Sequence, residues 1–258
     1  MILRFLLPFF ILFPLFASED SWQSKIEVGM YLPNTKGTIS NIQGSSDFEN
    51  DFGYKKLEAS YFSLGFVFNY DYVPNIEINY FKMKDNQNAD LNRTLVVADG
   101  EFDSSTSTII NYNVLNVVVY QDFKQKGSYI PIFGKYYFSG DIELDVGVNV
   151  KLVSWKFDIQ NEASLTQTPS WIKIDEFIPL PYLGLKYYLY DFIAYANVSA
   201  LSFSEAKSIS YQLGADYCII DTLYLSVAYL SEQLESVEKE DTIEFDSSGY
   251  KLSFKYAF

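Results

Sequence analysis

Residues 141 to 152, DIELDVGVNVKL, alternate without a break, with Ile142, Leu144, Val146, Val148, Val150 and Leu152 set against Glu143, Asp145, Gly147, Asn149 and Lys151. A period of two puts alternate side chains on opposite faces of a strand, so the stretch predicts a β-strand with one apolar and one polar face. The pattern recurs. Phe62, Leu64, Phe66, Phe68 and Tyr70 share one face; Ile76, Ile78 and Tyr80 alternate with Glu77 and Asn79; Ile209, Tyr211, Leu213, Ala215 and Tyr217 alternate with Ser210, Gln212, Gly214 and Asp216. The segments at 192–202 and 222–232 are strand-like with a blurred phase. The last ten residues, GYKLSFKYAF, hold the period to the end, with Tyr250, Leu252, Phe254, Tyr256 and Phe258 on one face and Lys251, Ser253, Lys255 and Ala257 on the other. Two architectures use such strands. In a soluble sandwich the apolar faces pack on each other, whereas in a membrane barrel they meet lipid and the polar faces line a lumen.

The connections separate the two. Short turns follow aromatic residues: DYVPN at 71–75 follows Tyr70, and residues 219–222 follow Tyr217. The stretch IPIFGKYYFSGDIEL, from Ile130, returns in looser form as LPYLGLKYYLYDFIAY, from Leu180; each copy runs from a Pro through Gly and Lys to a Tyr pair, a tight turn and a new strand. The opposite connections, 32–57, 85–106, 156–176 and 237–247, are longer, polar and often acidic. A sandwich has no reason to sort its loops by length onto opposite ends, while an outer-membrane barrel does so, with an aromatic girdle beside its short periplasmic turns. The predicted fold is therefore all-β, a transmembrane antiparallel up-and-down β-barrel with short periplasmic turns and long extracellular loops. Ten strands follow at about 22–31, 58–70, 75–84, 129–138, 141–153, 178–190, 192–203, 207–218, 222–234 and 248–258. Thr108 to Tyr120, with Ile110, Tyr112, Val114, Val118 and Tyr120, would be wasted in an aqueous loop. If it crosses, a strand near 91–102 must cross too, since both chain ends lie on the periplasmic side and the number must be even. The expectation is 10–12 strands, with twelve preferred to ten.

The first eighteen residues, MILRFLLPFFILFPLFAS, add a destination: a positive start, an apolar run too short to span a bilayer as a helix, and small residues at its end form the layout of a secretory signal. Residues 1–18 are thus expected to be a signal peptide and 19–258 the barrel, exported to the outer membrane of a Gram-negative bacterium. With 33 Asp and Glu against 19 Lys and Arg, a net charge of −14, the chain is a poor partner for nucleic acid. Tyr and Phe, 22 of each, suit strands and interfacial belts. Cys218 is the single cysteine, which excludes an intrachain disulfide and a cysteine-based metal site.

Candidate chemistry is sparse. The chain contains no His, so a Ser nucleophile lacks its usual activator and a hydrolase is disfavoured. Glycine-rich phosphate loops are absent, and no cofactor is expected. The strand phase proposes a lumen set of Glu77, Lys135, Glu143, Asp145, Lys151, Lys186, Asp216, Lys251 and Lys255, which would form either an internal salt-bridge network filling a narrow barrel or the lining of a small polar pore. Glu143 and Asp145, two apart on one face, could share a proton or pair with Lys. Loop carboxylates, among them Asp47, Glu49, Asp51, Asp99, Glu101, Asp103, Glu238 and Glu240, form a solvated face or hold divalent cations that bridge lipopolysaccharide; none has EF-hand spacing.

The order of VPNIEINY at 73–80, GDIELDVGVNVKL at 140–152, IPLPYLGLKYYL at 178–189, YQLGADY at 211–217 and the terminal strand resembles a family of outer-membrane β-barrel proteins of Gram-negative bacteria. The resemblance implies a location and a fold and carries over no activity or site residue. Tyr250, Leu252, Phe254, Tyr256 and Phe258 also resemble the terminal signal by which barrel-assembly machinery recognises its clients. The functional expectation is an integral outer-membrane barrel with a structural or small-solute pore role and no catalysis, in contact with lipid and lipopolysaccharide. The alternative is a surface-binding barrel acting through its long acidic loops.

Overall fold

Alternation becomes strand almost everywhere the chain is described. The computed structural model describes residues 22–258 other than 42–43, 55–56, 71, 92–93, 98–99, 103–104, 133–135, 162–169, 203–205 and 239–240; the expected signal peptide and Lys135 lie outside the described residues. The strands are β1 (Trp22–Asn41), β2 (Gly44–Asp47), β3 (Ala59–Phe68), β4 (Asn75–Asp90), β5 (Leu95–Val97), β6 (Gly100–Phe102), β7 (Ser105–Ile132), β8 (Tyr136–Asn161), β9 (Ser170–Leu189), β10 (Phe192–Ser202), β11 (Ala206–Ile220), β12 (Leu223–Glu238) and β13 (Asp241–Ala257). Every pairing is antiparallel, and the sheet runs β13-β12-β11-β10-β9-β8-β7-β4-β3-β1 before closing through β13 against β1. Ten long strands form this ring; β2 adds an eleventh as a spur on the far end of β1, and β5 and β6 make a hairpin of their own. The seam reaches the last residue: Ser24 N–H donates to the Phe258 carbonyl at 2.8 Å and Phe258 N–H to the Ser24 carbonyl at 2.9 Å.

Three expectations change. The region 91–102, needed as a crossing strand for a count of twelve, holds the short β5–β6 hairpin, and the ring of ten is completed by Thr108–Tyr120 inside β7. Residues 129–138 and 141–153 are not two strands joined by a turn: Tyr129–Ile132 ends β7, and β8 runs unbroken from Tyr136 to Asn161. Gly140 there serves close approach, because a Cβ on it would lie 2.2 Å from the Tyr188 carbonyl of the neighbouring strand. The second copy of that motif does turn, with Tyr190 at φ 49° beside Asp191 between Leu189 and Phe192. Finally, the segments expected as long loops are mostly strand. β1, β4, β8, β9 and β13 run on into 32–41, 85–90, 156–161, 170–176 and 241–247.

The extensions of β1, β8, β9 and β13 are polar outside and carry apolar side chains inside, the reverse of the lower half, whereas that of β4 turns Asp85, Gln87 and Ala89 inward. On β8, Leu144, Val146, Val148 and Leu152 are exposed outward while Val153, Trp155, Phe157 and Ile159 are buried inward, so the apolar phase flips between Leu152 and Val153. The neighbours flip on the same row. Phe62, Tyr80, Leu115, Leu152 and Phe177 are in register and face outward; Tyr61, Phe81, Val114 and Val153, one residue along, are in register and face inward. From Ile142 to Leu152 the strand climbs about 25 Å, taking about 3.3 Å per residue and a tilt of about 40°, which is the height of a bilayer-facing apolar band. Val153 to Asn161 adds about 20 Å more by the same measure, a rim standing above the band. Ile110, Tyr112 and Val114, whose apolar character argued for a strand there, are inward residues of this rim; the outward face of β7 is Leu115, Val117 and Val119.

Candidate functional site: a plugged and charge-lined lumen

The rim is filled by the segment after β1, which folds into the mouth and does not project from it. Asp47 caps its turn by accepting from Glu49 N–H at 2.9 Å and Asn50 N–H at 2.7 Å. Gly53, at φ 77°, turns the chain back, and Tyr54 N–H donates to the Phe48 carbonyl at 2.9 Å. Phe48 N–H donates to the Gly37 carbonyl at 3.0 Å, an approach that depends on Gly37, since a Cβ there would meet the Glu244 carbonyl at 2.1 Å and the Phe48 ring at 3.0 Å. So anchored, the Phe48 ring packs edge-on against Trp155 at 5.8 Å, Phe157 at 5.7 Å and Phe245 at 6.2 Å, and Phe52 sits 5.0 Å from Phe157. The Tyr54 hydroxyl donates to Thr108 Oγ1 at 2.9 Å. The aromatic side chains of this plug and wall, Phe48, Phe52, Tyr54, Trp155, Phe157 and Phe245, are all buried. The expectation that 32–57 extends outward as a loop is thereby corrected: its apolar residues find a drier place inside the rim.

Below the plug the lumen is polar. Lys151, fully buried on β8, pairs with Glu232 of β12 and donates to Ser208 at 3.1 Å and Ser210 at 3.0 Å. Lys186 of β9 lies between Glu143 at 2.6 Å and Asp145 at 2.8 Å. Tyr188 donates to the second oxygen of Glu143, Oε2, at 2.8 Å, and Lys124 reaches the same oxygen at 3.2 Å and Asp122 at 3.0 Å. Across the seam, Lys251 pairs with Glu27; on the other side of β13, over β12, Lys255 reaches Asp216 of β11 at 2.5 Å. Three of these lysines also lie over tyrosine rings: Lys251 over Tyr61 at 4.2 Å, Lys186 over Tyr120 at 5.3 Å and Lys255 over Tyr195 at 5.5 Å. Such pairs are secured by fixed geometry, because a desolvated charge that loses its partner is costly.

The structure thus brings Glu143, Asp145 and Lys186 together, joins Lys255 to Asp216, and gives Lys151 and Lys251 partners outside the proposed set. Glu77 lies on the cavity wall, where its carboxylate accepts from Asn79 Nδ2 at 2.8 Å. Glu27, Lys25, Glu232 and the four tyrosines 61, 120, 188 and 195 were missing from the sequence set. Lys25 and Glu27 alternate with Ile26, Val28 and Met30 and were legible by phase; Glu232 sits where the alternation of β12 is blurred. Tyr250, Leu252, Phe254, Tyr256 and Phe258 all lie exposed on the outer face beside the seam. Between the plug and the short-turn end remains a cavity of about 340 Å³, continued inward by one of about 70 Å³ bordered by Asn116, Asn149, Ser199 and Glu232. Among the described residues no group of three or more Asp, Glu, Cys or His is placed to hold a metal ion.

A ring closed by its first and last strands, apolar outside over one bilayer height and charge-paired inside, is a transmembrane antiparallel up-and-down β-barrel. Aromatic residues edge the band at both ends, with Tyr70, Tyr72, Tyr190, Phe192 and Tyr217 toward the short turns and Tyr80, Phe177 and Tyr250 toward the rim. In comparisons with known proteins the chain is similar to the outer membrane protease OmpT from Escherichia coli, at 11% identity over 93% of this chain and 98% of that one with a TM-score of 0.49. It is similar to Ail, the attachment invasion locus protein of Yersinia pestis, at 7% identity over 90% and 99% with a TM-score of 0.38, and to Neisserial surface protein A, at 11% over 92% and 97% with a TM-score of 0.33. No family model matches the chain. No curated protein matches it in sequence.

Proposed function

We propose that the protein is an integral outer-membrane barrel with a structural role, non-conducting in its resting form, whose rim faces the cell exterior and whose short turns face the periplasm. The observation that carries this reading is the aromatic plug: Phe48, Phe52 and Tyr54 fill the rim against Trp155, Phe157 and Phe245. An ion crossing that layer would leave water without a compensating partner, a cost of many kcal/mol. Catalysis has no part in the reading, since Glu143 and Asp145, the paired carboxylates nearest to an acid–base arrangement, are both held by Lys186. The long strands give the rim a rigid outer surface, and export places it outside.

The test is a planar-bilayer recording on pure refolded protein. The expected result is no channel events from the full chain, and conductance when residues 44–57 are replaced by a short Gly/Ser linker. Stable channels from the unaltered protein would overturn the closed-barrel reading.

A further inference from the structure

We propose that the cavity at the short-turn end binds a small zwitterion, a free amino acid or short peptide, with the carboxylate at Lys25 and the ammonium at Glu77. The inference concerns the opposite end of the lumen from the plug and stands whether or not the barrel conducts. Its starting point is a charge left over. Lys151, Lys186, Lys251 and Lys255 each have a carboxylate within ion-pair distance, and three of them rest on a tyrosine ring. Lys25 lines the same cavity and, among the described residues, has no ion pair; Lys186 and Lys255 are like-charged neighbours, and Glu143 and Glu77 attract it without coming within ion-pair distance. Glu77 lines it too and has no ion pair among the described residues.

The register places the two on one row of the wall. Lys25 on β1 is opposite Gly65 on β3, and Gly65 is opposite Glu77 on β4, so the charges stand on one row two strands apart. Two strand intervals put their backbones about 10 Å apart. Gly65 leaves the space between them open: a Cβ there would lie 3.5 Å from the Lys25 Cβ, and a larger side chain would fill the gap. Glu77 is also preorganised. Tyr61 donates to Asn79 Oδ1 at 2.8 Å, and Asn79 Nδ2 donates to Glu77 at 2.8 Å. A half-buried unpaired cation and a half-buried unpaired carboxylate on one wall are each costly alone. A lone anion would satisfy Lys25 and leave Glu77 repelled, a lone cation the reverse; one molecule carrying both charges satisfies the row. A dipeptide, with charges up to about 7 Å apart when extended, fits the separation once both side chains reach inward.

The experiment is isothermal titration of the refolded full chain with glycylglycine, and with acetate and methylammonium as singly charged controls. The expected result is saturable binding of glycylglycine, with each control at least about tenfold weaker, the loss of one charge-assisted hydrogen-bonded contact. Lys25→Met and Glu77→Gln should each weaken glycylglycine by about tenfold or more, Gly65→Val should abolish it, and the exchange Lys25→Glu with Glu77→Lys should restore it in the reversed orientation. The three-ligand comparison on the unaltered chain needs no variant to fold, and the shift between unboiled and boiled bands checks each variant for a closed barrel. Absence of heat at about 10 mM glycylglycine, equal binding of acetate, or a Glu77→Gln variant that binds as well or better would overturn the proposal.

Discussion

Lysine placed along the outward face of β8 should report where lipid begins and ends. Val148 is 48% exposed and lies near the middle of the apolar run from Ile142 to Leu152. If that run faces hydrocarbon, Val148→Lys costs about 2–4 kcal/mol, the value for a cation at the bilayer midplane. Leu152 is four residues on, about 10 Å nearer the rim at a rise of about 3.3 Å and a tilt of about 40°, so Leu152→Lys should cost only about 0–1 kcal/mol. Ser154, the next outward position, lies past the flip, and Ser154→Lys should be neutral to within about 0.5 kcal/mol. The assay is urea unfolding of each variant refolded into phosphatidylcholine vesicles, followed by tryptophan fluorescence. A profile that peaks at 146–148 and decays by 154 supports the assignment of the band. A flat profile of exposed, neutral substitutions, or a cost at Ser154 equal to that at Val148, would refute it and return the outward Val and Leu residues to an aqueous or protein-covered face.

Other consequences are equally direct. With Trp155 left as the only tryptophan through Trp22→Phe and Trp171→Phe, Phe48→Ala should cost the rim about 3–5 kcal/mol and raise acrylamide quenching of Trp155; unchanged quenching would mean the plug does not cover that ring. Lys151→Met strands Glu232 in a buried site and should destabilise by about 3–5 kcal/mol, whereas adding Glu232→Gln should recover most of the loss, measured by the same unfolding assay. Deleting Phe258 removes both backbone hydrogen bonds that bind the chain end to Ser24, so a smaller fraction should migrate as folded barrel on an unboiled gel; an unchanged fraction would show that the seam closes without it.

β8 shows how far the sequence could be followed. The alternation of residues 141–152 identified a strand with two unlike faces and set Glu143, Asp145 and Lys151 opposite Val146 and Val148; the structure buries the first three and exposes the other two. The next eight residues alternate equally well, yet Trp155, Phe157 and Ile159 face the other way. A period of two says which residues share a face and nothing about the solvent that face meets. Above the bilayer, water is outside and a packed core inside, so the favourable phase inverts. The adjacent apolar pairs Leu152–Val153, Leu115–Val114, Tyr80–Phe81 and Phe62–Tyr61 are the visible trace of that inversion, legible once the register aligns them.

What the sequence alone determined is therefore local and periodic: strands, an apolar band ending in Phe258, short turns after aromatics, and the inward charges of the cleanly alternating segments. What only the tertiary structure decided is long-range. Ring closure joins Lys251 to Glu27, 224 residues away, and Lys151 to Glu232 across 81 residues. It folds Phe48 into the rim, and it leaves Lys25 and Glu77 on one row with Gly65 between them. Pairing partners depend on register and on how the sheet closes, and those are properties of ten strands acting together that no single alternating segment contains.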